Sequence, residues 1–351
     1  MKTLLTIFAL LLAMTGHAND WNRLWIGCQQ TDPTHQVWFQ RTYTLRQRPT
    51  EAYVEMASSG RFILYINGYN VTTSLLEPLY ERRGDTIGVV RYEVTPFLRR
   101  GDNELKVWFS PVRDDPRQLS LQMYGMMGGM PFARSADASW ICRDAFCATL
   151  PDGSEWVDGR QHILREQPLF GWNPAALADC RQSVLELVLP TETTALKSMI
   201  TTYDIIDCDS LDSTRVVFRG SAAGRGILRV TLRETHRGDT IHVNGLHYIC
   251  RGNGDEQAFR RFTTEDIGEA VIQGPVWFSR KNVTSVEAIR ISSVFIRNST
   301  ENRIFAASFE NHGKSEYTRC ECQPRQDTRC EWLYRGRHPA AGQAQRGPHT
   351  A

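Results

Sequence analysis

The most constraining feature of this chain is short-period alternation broken by turn residues, with no sustained helical repeat. Ala52, Val54 and Met56 alternate with Tyr53, Glu55 and Ala57, and Phe62, Leu64 and Ile66 repeat the pattern. Side chains of a strand point alternately to opposite faces, so a two-residue apolar period marks a half-buried strand. Asn67-Gly68 follows directly; both residue types tolerate positive φ, which a two-residue hairpin requires. Gly101-Asp102-Asn103 then leads into Leu105, Val107 and Phe109. The second half has the same habit: Leu228, Val230 and Leu232, a Gly238-Asp239 turn, Ile241 and Val243, then Asn244-Gly245. Val283, Val286, Ile289 and Ile291 are read as a late strand pair. Strands and turns in this rhythm predict an all-β fold of two consecutive β-sandwich domains, jelly-roll in type.

The sequence divides into four stretches. Residues 1–18 read as a secretory signal peptide: Lys2, an apolar run from Leu4 to Met14, and small residues around a cleavage point after Ala18. The expected location is secreted or periplasmic. No segment has the length and apolarity of a membrane span. Residues 19–190 form the first predicted sandwich and residues 191–315 the second, divided where Pro190 and a Thr-rich stretch end an apolar run. Residues 316–351 have too few apolar side chains to offset their ordering entropy, and read as a disordered or out-of-frame tail. A formal charge of +2 spreads over no basic face, so nucleic acid is not an expected partner.

Nine cysteines are present. Two fates are open in an oxidising compartment: pairing, with Cys142 and Cys147 close enough to close a small loop, or burial as small hydrophobes. Connectivity cannot be read from spacing.

An ordered series of motifs resembles a known family. It runs Trp25-Ile26-Gly27, Trp38-Phe39-Gln40-Arg41-Thr42-Tyr43-Thr44-Leu45, Ala52-Tyr53-Val54, Leu64-Tyr65-Ile66-Asn67-Gly68 and Tyr92-Glu93-Val94-Thr95-Pro96-Phe97-Leu98. Ala138-Ser139-Trp140, Gly171-Trp172-Asn173, and Gly226 to Val230 with Gly238 to Ile241 continue it. The series is similar to the N-terminal and second β-sandwich modules of bacterial α-L-rhamnosidases over roughly residues 25–295. In that family the catalytic acids lie on an (α/α)6 barrel after the sandwiches, so the resemblance carries no catalytic residue onto this chain. It implies a non-catalytic accessory or carbohydrate-recognition region of a secreted glycoside hydrolase, ending before the barrel. The missing catalytic domain would then be an intramolecular partner. The alternative is a free-standing secreted glycan- or partner-binding protein. The implied sandwiches are galactose-binding-like, and the implied ligand is a plant or bacterial glycan, rhamnose-containing in the narrower form of the reading. No cofactor is expected beyond a structural calcium, which the acidic residues below suggest independently of the resemblance.

Pyranose rings stack on exposed aromatic faces while their hydroxyls take planar polar partners. Trp140, Trp156, Trp172 and Trp277, with Asp158, Arg160, Asn173 and Arg280 nearby in sequence, are therefore the candidate carbohydrate-binding residues. Asp207, Asp209 and Asp212 are a calcium candidate, because hard cations take carboxylate oxygens. Gly220, Gly224 and Gly226 precede a strand rather than a helix and so form a turn, not a phosphate cradle. His162, His236, His242 and His247 fall on or beside strands and mark no hydrolytic triad.

Overall fold

The computed structural model describes residues 23–29, 32–72, 86–112, 116–161, 171–178, 183–190, 196–202, 214–220 and 224–293. The expected signal peptide, the Asp207, Asp209 and Asp212 group, His162 and the C-terminal tail lie outside these residues. Apart from two short 3-10 turns, every described element is a strand, and no helix is long and apolar enough to cross a membrane.

In chain order the early strands are β1 (Trp25–Gly27), β2 (His35–Leu45), β3 (Glu51–Ser58), β4 (Arg61–Ile66), β5 (Tyr69–Asn70), β6 (Thr86–Glu93), β7 (Gly101–Ser110) and β8 (Gln118–Met127). Next come β9 (Met130–Ser135), β10 (Ile141–Thr149), β11 (Glu155–Asp158), β12 (Asn173–Pro174), β13 (Ala176–Ala178), β14 (Ser183–Pro190) and β15 (Leu196–Thr202). The last are β16 (Arg215–Arg219), β17 (Arg225–Leu232), β18 (Thr240–Val243), β19 (Leu246–Ile249), β20 (Glu256–Phe259), β21 (Glu265–Asp266), β22 (Glu269–Gln273) and β23 (Val283–Ser293).

They form two β-sandwiches that share a sheet. An outer sheet has the order β13-β1-β8-β3-β6-β14, with β9 beside β8. The central sheet runs β16-β22-β18-β19-β11-β10-β2-β7-β4-β5, with β12 beside β10. A third sheet runs β15-β23-β17-β20, with β21 beside β17. The central sheet changes from early to late strands where β11 pairs in parallel with β19, Trp156 opposite His247 and Val157 opposite Tyr248.

The alternation reads out in the two cores. Val37, Phe39, Leu64, Val107, Phe109 and Cys142 face the outer sheet and pack with Ala52, Val54 and Met56. Their strand neighbours Trp38, Tyr65, Trp108 and Cys147 face the other way and pack with Leu228, Val230, Leu232, Ile241 and Val243. Strands β2 and β7 are thus buried on both faces, which is why each reads Val-Trp-Phe without a polar interruption. Trp38 and Trp108 sit opposite each other in register, their rings stacked at 5.1 Å, and Phe262 meets Trp108 edge-on at 5.4 Å.

Both Asn-Gly hairpins form. Asn67 and Gly68 adopt φ of 52° and 81°, and His242 pairs with His247 and Val243 with Leu246 around Asn244-Gly245. The late strand pair is instead one eleven-residue strand, β23. Its register against β17 shifts between Thr231 and Leu232. That irregularity breaks the two-residue period and spaces Val283 and Val286 three apart.

Candidate functional site

The candidate site lies on the central sheet, where the outer sheet no longer covers it. Val157, Ile241, Val243, Leu246 and Tyr248 belong to the second core. Their strand neighbours Trp156, His242 and His247 therefore project from the opposite face. His35 is two residues from Val37, a first-core residue, and lies on that same face. Register lines these residues up: His35 opposite Ala148, Ala148 opposite Trp156, Trp156 opposite His247, and His247 opposite His242. The result is one transverse row crossing five strands.

Within this row Thr34, His35, Ala148, Leu150, Trp156 and His247 line an open depression of about 320 Å³. The His35 and Trp156 rings stack at 5.8 Å with 22° between their planes. His35 is held from behind by Asp144, Nδ1 to Oδ2 at 2.6 Å. Asp144 is aimed by a local bulge: pairing of β10 with β2 slips between Asp144 and Ala148, and Phe146 adopts φ of 54°. The Phe146 amide then donates to Asp144 Oδ1 at 2.5 Å. A neutral His35 donating through Nδ1 keeps Nε2 as an acceptor, and a protonated ring donates from both nitrogens. At the other end His242 meets His247 edge-on at 4.8 Å. Partial burial, and then His247, holds His242 below the ordinary histidine range, so its ring is neutral near pH 7. Asp152 accepts from the Ser154 hydroxyl and amide, and these bonds, aided by nearby His247, hold its carboxyl below the usual range. The row therefore combines one apolar ring face with imidazole, hydroxyl and carboxylate partners. Among the described residues no group of three or more His, Cys, Asp or Glu is placed to hold a metal.

The other sequence candidates are dispersed. Trp140 is a correction: it is 0% exposed in the first core, and its indole nitrogen donates to the Tyr43 hydroxyl at 3.0 Å. A ring sealed there offers no face to a sugar. Asp158 is buried at the end of β11 and forms a two-pronged ion pair with Arg160, both contacts at 2.8 Å. Trp172 packs against the second core beneath the Arg143 guanidinium, 5.2 Å from its ring centre, while Asn173 lies in β12 opposite Cys142. Trp277 leans on the second core, donates to Asp239 at 2.5 Å and lies 4.3 Å from the His236 ring. Arg280 lies over Phe218 and donates to the Val283 carbonyl at 3.0 Å. Of the eight, Trp156 alone lines the depression. Its partners His35, Asp144 and Thr34 were not legible in sequence, because a bulge and two cross-strand registers bring them there.

Residues 47–111 match the family model described as the α-L-rhamnosidase N-terminal domain. The match spans β3 to β7 with the Asn67-Gly68 hairpin. The α-L-rhamnosidase of Dictyoglumus thermophilum superposes with a TM-score of 0.63 at 17% identity, over 78% of this chain and 36% of that one. That of Aspergillus terreus gives 0.61 at 16% identity, over 78% and 36%. The Streptomyces avermitilis enzyme, solved with L-rhamnose, gives 0.62 at 16% identity, over 74% and 29%. At such identities the likeness is one of fold, and the chain spans about a third of the length of these structures. A search of curated proteins returns no match. The chain has the β-sandwich fold found in α-L-rhamnosidases, and residues 47–111 are similar to the N-terminal domain of that family.

Proposed function

We propose that this chain is a non-catalytic, carbohydrate-recognising β-sandwich region of a secreted α-L-rhamnosidase-like glycoside hydrolase, and that the row around Trp156 is its glycan contact. The family match over residues 47–111, within a fold shared with three rhamnosidases, carries the first part. The depression carries the second: the Trp156 ring offers an apolar platform for a pyranose, and Thr34, His35 and His247 surround it with hydroxyl-binding groups. A rhamnose-containing glycan fits such a site because the methyl-bearing face of the sugar seeks the indole. Export by residues 1–18 belongs to the same proposal and places the chain where such glycans occur.

Titration of the full chain with rhamnose-containing oligosaccharides, alongside Trp156→Ala, tests the reading. Loss of one aromatic platform is worth about 1.4 kcal/mol, so the variant should bind about tenfold more weakly with an unchanged melting temperature. Equal binding by both proteins would remove Trp156 from the site. No binding to any rhamnose-containing or pectic glycan would overturn the recognition role and leave the family fold untouched.

A further inference from the structure

The buried cysteines take no part in the glycan row. Four lie among the described residues, Cys28, Cys142, Cys147 and Cys250, and each is a buried thiol. The pair closest in sequence, Cys142 and Cys147, is separated by the sheet itself: Cys142 faces the first core and Cys147 the second. No disulfide reaches through a strand to join opposite faces, since the two Cβ vectors must converge.

Cys142 meets Cys28 instead. Both are in the first core, 1% and 5% exposed, and their side chains are hydrogen-bonded to each other. Strand register explains the meeting. Cys142 stands opposite Asn173 of β12 on the central sheet. The chain then passes Ala175, whose amide donates to the Trp140 carbonyl at 2.8 Å. It enters β13, where Ala176 stands opposite Gly27 on the outer sheet. A few residues of chain thus carry the pairing from one sheet to the other, and the two thiols sit at that corner.

We propose that Cys28 and Cys142 are a disulfide site, closed as the chain folds in the presence of a disulfide donor such as oxidised glutathione or a thiol–disulfide oxidoreductase. One cysteine attacks the donor disulfide as its thiolate, forms a mixed disulfide and releases one donor thiol. The second cysteine attacks the mixed disulfide, forms the Cys28–Cys142 bond and releases the other donor thiol. Two electrons pass to the donor, and the two protons leave with its thiols. Both sulfurs are buried once the site is packed, so exchange with the donor takes place while the chain is folding. The bond ties β1 to β10 across a loop of about 110 residues, long enough to restrict the unfolded chain strongly.

The test is refolding of the full chain from denaturant with oxidised and reduced glutathione, alkylation, and tryptic digestion without reductant. Cleavage after Arg23, Arg41, Arg134 and Arg143 puts Cys28 in peptide 24–41 and Cys142 in 135–143, while Cys147 falls in 144–160. The expected product is a cross-link between 24–41 and 135–143 that a reductant separates. It should raise the melting temperature by roughly 10 °C, a gain absent from the Cys28→Ser, Cys142→Ser double variant. Recovery of both peptides singly alkylated would overturn the proposal. So would a dominant link from Cys142 to any other cysteine.

Discussion

Glu155 supports the sharpest energetic prediction, because one carboxylate joins the two halves of the molecule. It begins β11, is 0% exposed, and reaches the segment after β20. Oε2 accepts from the Arg261 amide at 2.9 Å; Oε1 accepts from the Phe262 amide at 2.9 Å, the Thr263 amide at 2.6 Å and the Thr263 hydroxyl at 2.8 Å. Arg260 answers from the same segment by donating to the Gly153 carbonyl at 2.8 Å. Glu155→Gln keeps the shape and removes the charge. An amide oxygen at the Oε1 position retains three bonds but loses their charge assistance, about 0.5 kcal/mol each. The amide nitrogen then faces the Arg261 N–H, donor against donor, leaving a buried N–H unsatisfied at a cost of about 1–3 kcal/mol. Relief of burying a charge offsets part of this, so the net loss is about 3 kcal/mol. For a unit of this size that lowers the melting temperature by about 6–12 °C. Urea denaturation gives the free energy, and hydrogen exchange of the 260–263 amides locates it. A variant within 0.5 kcal/mol of wild type, with unchanged protection of those amides, would refute the account.

Three further outcomes follow from the structure. Gly68→Ala should cost only about 1 kcal/mol: its Cβ meets nothing within 4 Å, and the penalty is that of φ +81° alone. Asn67→Ala should cost about 3 kcal/mol, because it also removes bonds from Nδ2 to the Phe97 carbonyl and Asn103 and from the Glu104 amide to Oδ1; the reverse order in urea denaturation would sink this reading of the turn. Burial, opposed by Arg260, pushes the Glu265 carboxyl up to about 7 from an ordinary 4.5. The folded state therefore holds this proton more tightly than the unfolded state, and its contribution to stability falls as pH rises from 4.5 to about 7. Glu265→Gln should flatten the melting temperature across that window, and an unchanged slope would assign the dependence elsewhere. Finally, residues 19–190 expressed without the rest should expose the Trp38 and Trp108 face and bind a hydrophobic dye. A monodisperse, dye-silent product would contradict the shared core.

The apolar alternation of β3, β4, β7 and β17 and the two Asn-Gly hairpins were legible because strand period and turn chemistry are local. The alternation of Leu105, Val107 and Phe109 does not by itself show the two-sided burial that the double Val-Trp-Phe run has in the structure. Trp140 misled because polar residues precede it, although its ring is buried in the first core. Trp156 was visible as an aromatic, but its companions were not. His247 reaches it through a parallel pairing across some 90 residues of chain, and Asp144 through a bulge whose strained residue, Phe146, has no sequence signature. Register and bulges are tertiary outcomes, so a site assembled from them leaves little trace along the chain.

The parallel seam between β11 and β19 has a mechanical meaning. Two sandwiches strung on a flexible linker would swing like beads. Here one hydrogen-bonded sheet runs from β16 to β5 through ten strands, and stacked indoles brace it from behind. Bending such a girder would require breaking the sheet rather than rotating a hinge. A sugar seated on Trp156 would accordingly keep a fixed bearing to both sandwiches, and whatever is anchored to either would be presented to that glycan at one constant angle.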